Sequence, residues 1–361
     1  MFSDVFKGKK VLITGDTGFK GSWLALWLCE LGSEVFGYAL PPEKQSDNFN
    51  VCGLNKKINH TDGDVRDLGK MVDLLIKIQP DIIFHLAAQA LVLESYNEPH
   101  ETFSTNVMGT VNIFEAVRLT PSIKVAINVT SDKCYQNNDW LWGYRENDRL
   151  GGKDPYSASK SASEIITASY IKSFFSFDNT ANVASVRAGN VIGAGDWADH
   201  RIIPDYFKAK KTNTKLLVRN PEATRPWQHV LEPLSGYLTL AARLYSDGKR
   251  FQGSWNFGPI DVMNCTVSEL IDEIVKHDEN SKYIYESVEK DLEARLLKLD
   301  ISKSINELGW MPVLDFPDTV KYTIDGYLSD LDGNSSLKDR LKTISVYAQK
   351  AEIKGLPWAL K

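Results

Sequence analysis

The sequence has few cysteines. Four occur in 361 residues, at Cys29, Cys52, Cys134 and Cys265, and no two form a Cys-x-x-Cys pair. Disulfide scaffolds and structural zinc sites depend on closely spaced cysteines, so the sequence predicts neither a disulfide framework nor a metal site. Cys134 follows Lys133, but no arrangement of histidine and asparagine supports it as a nucleophile. We expect it to pack in a core or in the wall of a site.

Long hydrophobic runs and blocks of one charge are also missing. Apolar runs such as residues 24–31 and 82–86 are much shorter than the roughly 20 residues of a membrane-spanning helix. Residues 1–10 lead directly into a predicted strand and show no signal-peptide pattern. The net charge is −5, and no lysine-arginine block resembles a nucleic-acid tract. We therefore expect a cytoplasmic protein that binds neither membranes nor nucleic acid.

A glycine-rich turn joins a predicted strand to a predicted helix near the N-terminus. The strand at residues 11–14 leads into Gly15, Gly18 and Gly21, spaced Gly-x-x-Gly-x-x-Gly. Gly15 permits a tight turn, and Gly18 lets the backbone approach a pyrophosphate closely. Gly21 lets the helix pack closely on the strand. The phosphates of a dinucleotide would then face the N-terminus of this helix. The turn therefore predicts a dinucleotide-binding site.

Strand-like and helix-like segments alternate along the first half of the chain. This alternation predicts an α/β fold with a doubly wound, Rossmann-like parallel sheet, and the alternation weakens after about residue 196. We predict that residues 1–195 form the dinucleotide-binding domain and carry the catalytic residues. Residues 196–361 would mainly form a smaller, partly discontinuous mixed α/β substrate lobe, with some segments returning to the first domain. The predicted strands are residues 11–14, 34–38, 81–85, 124–129 and 182–187.

Five residues outline a site for redox chemistry and proton transfer. Ser131, Asp132 and Lys133 supply a hydroxyl, an acid and an amine directly after a predicted strand. Tyr156 and Lys160 are four residues apart, so on a helix they share one face. An ammonium close to the phenol lowers the phenol's pKa from about 10 toward a value that suits a base. The combination predicts an enzyme that moves protons and a hydride.

Together these motifs resemble the extended short-chain dehydrogenase/reductase family. Within that family, Ser131-Asp132 in front of Lys133 is similar to the Thr-Asp-Glu signature of nucleotide-sugar 4,6-dehydratases, with lysine where most members carry glutamate. This departure, together with Gly195-Asp-Trp197, resembles the CDP-glucose 4,6-dehydratase branch. The other segments that carry the resemblance begin at Asp64, His85, Asn106, Arg187, Thr224 and Asn256.

The resemblance implies conversion of CDP-glucose to CDP-4-dehydro-6-deoxyglucose and water by internal hydride transfer through bound NAD, in deoxysugar biosynthesis for lipopolysaccharide O-antigen. Tyr156 would take the proton from the sugar 4-hydroxyl while Ser131 positions that oxygen. Lys133 would then be the base at carbon 5 with Asp132 as acid, or it would stay charged, stabilise the enolate and hold Asp132 in the required protonation state. Three alternatives are another nucleotide-sugar dehydratase of the same family, a 4-epimerase, which would not need the Asp132-Lys133 pair, and a nucleotide-binding protein without turnover.

The cofactor assignment depends on the end of the second strand. The usual acid that binds the ribose hydroxyls is missing there, and Tyr38 takes its place. The next basic residue is only Lys44, so we expect NAD rather than NADP. The alternative interpretation of Asp64 is that it is simply a turn residue after Gly63. The resemblance implies that the cofactor contacts Gly15, Thr17, Gly18, Phe19, Gly21, Tyr38, Asp64, Val65, Leu86, Ala87, Gln89, Asn106, Tyr156 and Lys160.

Four residues are candidates for holding the nucleotide-sugar substrate. Arg187 and Asn190 follow a predicted strand at a place where family members contact the substrate. Arg225 and Arg295 suit a pyrophosphate clamp, because a guanidinium meets phosphate oxygens in pairs. Arg295 fits a helix-surface arginine equally well. The spacing does not choose among nucleobases, so the cytosine assignment depends on the resemblance.

The resemblance also implies a homodimer. Family members often pair two helices of each subunit in a four-helix interface. In this chain the two helices would be residues 102–118 and 155–175.

Overall fold

The computed structural model describes residues 1–218, 220–260, 265–278, 283–285 and 296–360. Arg295, expected in the pyrophosphate clamp, lies outside these ranges. No helix within them has the length and apolar character needed to cross a membrane.

Short strands and longer helices follow one another along the chain. The strands are β1 (Lys10–Thr14), β2 (Glu34–Ala39), β3 (Asn59–Asp62), β4 (Ile82–His85), β5 (Val125–Val129), β6 (Asn182–Ala188), β7 (Val191–Ile192), β8 (Leu216–Val218), β9 (Thr224–Arg225), β10 (Gln228–His229), β11 (Gly253–Phe257), β12 (Cys265–Thr266) and β13 (Tyr283–Tyr285). The helices are α1 (Phe19–Glu30), α2 (Asn48–Val51), α3 (Leu68–Ile78), α4 (Val92–Asn97), α5 (Pro99–Phe103), α6 (Gly109–Arg118), α7 (Pro155–Ser173), α8 (Ile202–Lys211), α9 (Leu231–Asp247), α10 (Val267–His277), α11 (Phe316–Leu331) and α12 (Ser336–Ile353).

Seven of the described strands form one parallel sheet in the order β11-β6-β5-β4-β1-β2-β3. This confirms the prediction of a doubly wound α/β fold. The central strands are apolar runs because helices cover both faces of the sheet. Val11 and Ile13 face one core while Leu12 faces the other. The carboxyl ends of the strands meet at one edge, which is where open α/β sheets bind their ligands.

The two faces of the sheet have separate cores. On one face α1, α9 and α12 pack together, with Trp23, Trp27 and Tyr347 fully buried. On the other face α3 and α6 pack against each other through Leu75 and Phe114, and α7 lies beside α6. The result is a three-layer arrangement with the sheet in the middle.

A third apolar core lies outside these layers. It joins α8, α10 and α11 around buried Phe207, Leu270 and Tyr327. The chain first reaches this core at β7, but the later elements α9 and β11 belong to the main sheet and its core. The chain therefore leaves the main sheet and returns to it. The division at residue 195 stays a prediction.

Two buried histidines resist protonation in the folded chain. Burial lowers the pKa of His229 to about 3, and the nearby charge of Arg340 adds to this effect. Burial and the charge of Lys160 likewise lower the pKa of His85 to about 3. The backbone N–H of Leu231 donates to Nδ1 of His229 at 3.3 Å, so the neutral ring is the form that the structure accommodates.

The free energy of unfolding should therefore fall as the pH falls from about 6.5 toward 3. Below about pH 6.5 the unfolded chain binds protons on these histidines while the folded chain does not, and the difference favours unfolding. Between pH 7 and pH 5, His229 alone accounts for a loss of about 2 kcal/mol. Urea unfolding at both pH values should show that His229→Gln is less pH-sensitive than the wild type by this amount. Equal pH sensitivity of the two proteins would contradict the assignment.

Candidate active site

The backbone of the glycine-rich loop lies so close to other backbone of the same chain that side chains at Gly15 and Gly21 would not fit. Gly15 has φ +77°, and a Cβ there would lie 2.7 Å from the nitrogen of Ala87. A Cβ on Gly21 would lie 2.1 Å from the carbonyl oxygen of Gly15. Gly18 is the N-cap of α1 and has no side chain to cap the helix. The first-turn N–H groups of α1 are thus available to an anion.

A cavity of about 1220 Å³ runs along the carboxyl edge of the sheet, between the glycine-rich loop and the third core. Small-molecule pockets are typically about 300–1,000 Å³, so this cavity has room for more than one ligand. Sixteen of the residues expected in the site line it: Gly15, Thr17, Gly18, Phe19, Gly21, Asp64, Val65, Leu86, Ala87, Ser131, Asp132, Lys133, Tyr156, Lys160, Asn190 and Arg225.

Tyr38 does not line the cavity. Its side chain is 1% exposed, and its hydroxyl donates to the carbonyl oxygen of Asp64 at 3.0 Å. A Cβ on Gly63 would collide with the Tyr38 ring. The structure therefore places the Tyr38 ring under the loop after β3, and its expected contact with the cofactor stays a prediction. Leu40 and Pro41 line the cavity at this place.

Gln89 and Asn106 support the cavity wall from behind. The backbone N–H of Gln89 donates to Oδ1 of Asn106 at 2.8 Å, and Nδ2 of Asn106 donates to the Gln89 carbonyl at 3.0 Å. Nδ2 of Asn106 also donates to Ser159 on α7 at 2.9 Å. These bonds tie the loop after β4 to α7. Both residues were expected to contact the cofactor, and the structure instead places them outside the cavity lining.

The turn after β5 brings Ser131, Asp132 and Lys133 to the cavity. Ser131 caps this turn: its Oγ accepts from the Lys133 backbone N–H at 3.2 Å and donates to Oδ1 of Asp132 at 2.9 Å. Asp132 is 4% exposed. Burial raises the pKa of Asp132, and the charge of Lys133 and the Ser131 hydrogen bond reduce this effect. The acid is therefore held closer to its neutral form than an exposed aspartate would be.

Tyr156 and Lys160 lie on the first turns of α7 and are 8% and 6% exposed. Burial raises the pKa of Tyr156 to about 12, although a hydrogen bond with Ser131 opposes the shift. Burial also lowers the pKa of Lys160 to about 8, and its ammonium donates to the Val129 carbonyl at 3.4 Å. Burial is the largest effect on the pKa of the phenol and it raises that pKa, so the lowering effect expected of Lys160 stays a prediction.

Arg187 is a structural residue behind the site. It is 2% exposed, and its Nη2 donates to Oε2 of Glu164 at 2.7 Å. Its Nη1 donates to the Tyr135 hydroxyl at 2.6 Å and to the Glu146 carbonyl at 3.1 Å. Arg187 does not line the cavity, and its expected contact with the substrate stays a prediction. The carboxylate of Glu164 on α7 draws the guanidinium into the interior.

Charged residues that the sequence analysis did not select also line the cavity, among them Lys20, Asp196 and Arg201. Nη1 of Arg201 donates to Oδ2 of Asp196 at 2.7 Å. Lys20 stands inside the glycine-rich motif, and Arg201 closely follows the Gly195-Asp-Trp197 segment. Their closeness to these motifs was the available signal, but nothing in their spacing showed which way the side chains point.

Replacing Arg187 should destabilise the fold rather than weaken substrate binding. Arg187→Met leaves the carboxylate of Glu164 buried without its ion-pair partner, which typically costs about 3–5 kcal/mol. Urea unfolding should show this loss. The double variant Arg187→Met/Glu164→Gln should recover part of it, because no buried charge then lacks a partner. A small change in stability combined with a large rise in KM would contradict this role.

The comparisons with known proteins agree with this geometry. A CDP-glucose 4,6-dehydratase from Salmonella typhimurium is 45% identical over 350 residues, covering 95% of this chain and 97% of the relative. A GDP-mannose 4,6 dehydratase from Arabidopsis thaliana is 27% identical, covering 90% of this chain and 91% of the relative.

Two solved structures share the fold. A UDP-glucose-4-epimerase from Stenotrophomonas maltophila superposes with a TM-score of 0.78 at 20% identity, covering 90% of this chain and 99% of the other. A dTDP-glucose 4,6-dehydratase from Streptomyces venezuelae gives 0.77 at 22% identity, covering 91% and 99%. The model of the GDP-mannose 4,6 dehydratase family matches residues 12–323. The chain therefore belongs to the GDP-mannose 4,6-dehydratase family, within the extended short-chain dehydrogenases/reductases that its motifs resemble.

Proposed function

We propose that the chain is an NAD-dependent CDP-glucose 4,6-dehydratase that forms CDP-4-dehydro-6-deoxyglucose and water. The main support for this proposal is the 45% identity to a CDP-glucose 4,6-dehydratase over 95% of the chain. The cavity supports it, since Ser131, Tyr156 and Lys160 lie beside the Asp132-Lys133 pair in one space. This pair distinguishes a dehydratase from a 4-epimerase, which moves no proton at carbon 5.

The glycine-rich loop and the cavity fit a dinucleotide. The backbone at Gly15 and Gly21 lies so close to neighbouring backbone that no side chain would fit there. The N-terminus of α1 opens on the cavity. Lys44, the basic residue closest in sequence to the end of β2, donates to Asp199 at 3.2 Å and to the Trp197 carbonyl at 3.2 Å. Because this charge is already paired, it favours NAD over a cofactor with an additional 2′-phosphate.

When bound, NAD supplies the hydride acceptor and donor of the reaction. Tyr156 removes the proton from the sugar 4-hydroxyl, and Ser131 holds the same oxygen by a hydrogen bond. Burial disfavours the phenolate of Tyr156, so a nearby positive charge is needed to stabilise it. Lys160 on the same face of α7 supplies part of that charge.

The elimination step uses the turn after β5. Burial favours the neutral carboxyl of Asp132, which can therefore give a proton to the departing 6-hydroxyl. The Ser131 hydroxyl donates to Oδ1 of Asp132 at 2.9 Å and also lowers the pKa of Tyr156, so one side chain acts on both proton-handling groups. Lys133 lines the same cavity. Both roles stay open for it, the base at carbon 5 or the cation that stabilises the enolate.

Arg225 and Asn190 supply the substrate side of the cavity in this proposal. Arg225 on β9 lines the cavity, and its strand pairs with β12, where Cys265 is its partner. A guanidinium at this place suits the substrate diphosphate. Asn190 lines the cavity just before β7 and suits a sugar hydroxyl.

The product mass tests the proposed function. The protein is incubated with NAD and, in separate samples, with CDP-glucose, dTDP-glucose, UDP-glucose and GDP-mannose. Loss of one water from CDP-glucose alone is the expected result. Loss from another nucleotide sugar keeps the chemistry and overturns the substrate. Unchanged masses with a new sugar isomer would identify a 4-epimerase, and cofactor binding without any product would identify a binding protein.

Tyr156→Phe should lower kcat by about 10²–10⁴-fold while NAD still binds, because the variant lacks the group that moves the 4-hydroxyl proton. Tyr135→Phe is the matched control. The Tyr135 hydroxyl bonds Asn256 and Arg187 outside the cavity lining, so kcat should stay near the wild-type value. Initial rates of product formation measure both. Similar rates for Tyr156→Phe and the wild type would exclude the proposed role.

We also propose a homodimer formed through α7 and the continuous helical segment 99–118. These helices pack side by side, and they leave Phe103, Met108 and Ile165 at 40%, 50% and 59% exposure. A second copy would bury these apolar side chains. Ile165→Glu should then give a monomer by light scattering. Ile76→Glu, at a 52% exposed position on α3, should leave the dimer intact. A monomeric wild type would overturn this assignment.

A further inference from the structure

We infer that His60 is a positioning residue for NAD: its imidazolium holds the carboxylate of Asp16 beneath the glycine-rich loop and so fixes the loop in the shape that receives the cofactor. Neither side chain lines the cavity, so both act from behind the loop. The inference rests on the NAD binding of the proposed function and does not depend on which sugar nucleotide is the substrate.

Asp16 belongs to the glycine-rich loop, but its side chain points away from the cavity. Its neighbours Gly15, Thr17 and Gly18 line the cavity, whereas Asp16 is 0% exposed and takes no part in the lining. Nδ1 of His60 lies 2.7 Å from Oδ2 of Asp16. Within the described part of the chain, no group donates to the other oxygen, Oδ1. The buried carboxylate therefore depends on His60, because a buried charge without a partner is unfavourable.

The sheet leaves an opening through which this contact is made. His60 on β3 pairs with Gly37 on β2, and Gly37 pairs with Ile13 on β1. A Cβ on Gly37 would collide with the carboxylate of Asp16. The Asp16 side chain thus crosses β2 above a residue that has no side chain and reaches the next strand. On the far side the ring of Phe49 packs against His60, with the ring centroids 5.1 Å apart.

Both ring nitrogens of His60 lie close to carboxylates. Nδ1 is 2.7 Å from Asp16, and Nε2 is 3.1 Å from Oδ1 of Asp62. A neutral imidazole donates through one nitrogen only, so the imidazolium is the form that bonds both carboxylates. The hydrogen bond to Asp16 raises the pKa of His60, Asp62 adds to the rise, and burial opposes it. Within the described ranges the charged groups that act on His60 are Asp16 from the glycine-rich loop and Asp62 from its own strand.

Protonation of His60 and binding of NAD should therefore be coupled. Loss of the proton breaks the ion pair that holds the loop, so NAD should bind more tightly below the pKa of His60 than above it. By reciprocity, bound NAD must raise this pKa by the same factor. Coupling between two sites is typically about 5–150-fold, and a five-fold coupling corresponds to a rise of about 0.7 pH unit.

The direct test is an NMR titration of the histidine rings with and without saturating NAD. The chain has six histidines, and the His60 signal is assigned by its loss in His60→Gln. At pH 6 both ring nitrogens of His60 should carry protons, and NAD should raise the midpoint by about 0.7 pH unit or more. In Asp16→Asn this rise should largely disappear, because the coupling runs through the carboxylate.

Two results of this titration would overturn the inference. One is a midpoint in the wild type that NAD does not move. The other is an equal rise in Asp16→Asn, which would show that the phosphate charge acts on His60 directly rather than through the loop.

The second arm measures NAD affinity by calorimetry at pH 6 and pH 9. At pH 6, His60→Gln should bind NAD at least about five-fold more weakly than the wild type, and the two affinities should converge at pH 9. His100→Gln is the matched control: His100 on α5 is exposed and does not line the cavity, so its affinity should equal that of the wild type at both pH values.

Lower unfolding stability of His60→Gln with unchanged NAD affinity would make the pair purely structural and overturn the inference. A wild type that binds no NAD would overturn the cofactor assignment of the proposed function together with this inference. NAD binding that is independent of His60 would overturn the inference alone.

Discussion

The candidate site depends on the burial of its titratable groups. Asp132, Tyr156 and Lys160 are all less than one-tenth exposed, at the carboxyl edge of the sheet. Burial raises the pKa of the acid and of the phenol and lowers that of the amine, so each group moves toward its neutral form. Every charge that the reaction needs must then be stabilised by a neighbouring group. This makes the arrangement of cations around the cavity the controlling feature.

The fold holds these groups in place through a layer of polar contacts beneath them. Nδ2 of Asn128 on β5 donates to Ser163 at 3.0 Å and to Thr167 at 2.8 Å, which fixes α7 on the sheet. Glu164 on the same helix bonds Arg187 of β6, and its buried ion pair lies behind the cavity. The turn after β5 and the first turn of α7 are therefore held at a fixed separation. That separation lets Ser131 reach both Tyr156 and Asp132.

The sequence was sufficient for the parallel sheet and the glycine-rich turn, because these depend on local patterns. The five residues expected to be catalytic also line one cavity. The sequence was insufficient where side-chain direction decides the outcome. Arg187 follows the motif of a substrate ligand, but a partner 23 residues away in sequence, Glu164, draws it inward. Tyr38 stands at the expected strand end, yet its ring packs beneath Gly63. The spacing of Tyr156 and Lys160 predicted a lowered phenol pKa, whereas burial, which the spacing does not show, has the largest effect and raises it.

The most direct test of this account is the ionisation of Tyr156 in the protein alone. Tyrosinate absorbance is titrated in the wild type and in Tyr156→Phe, and the difference between the two curves reports Tyr156. We predict that without NAD this phenol stays protonated well above pH 10, in keeping with a pKa of about 12, and that added NAD lowers its midpoint. Ionisation below pH 10 without NAD would show that Lys160 outweighs burial, and would contradict the account.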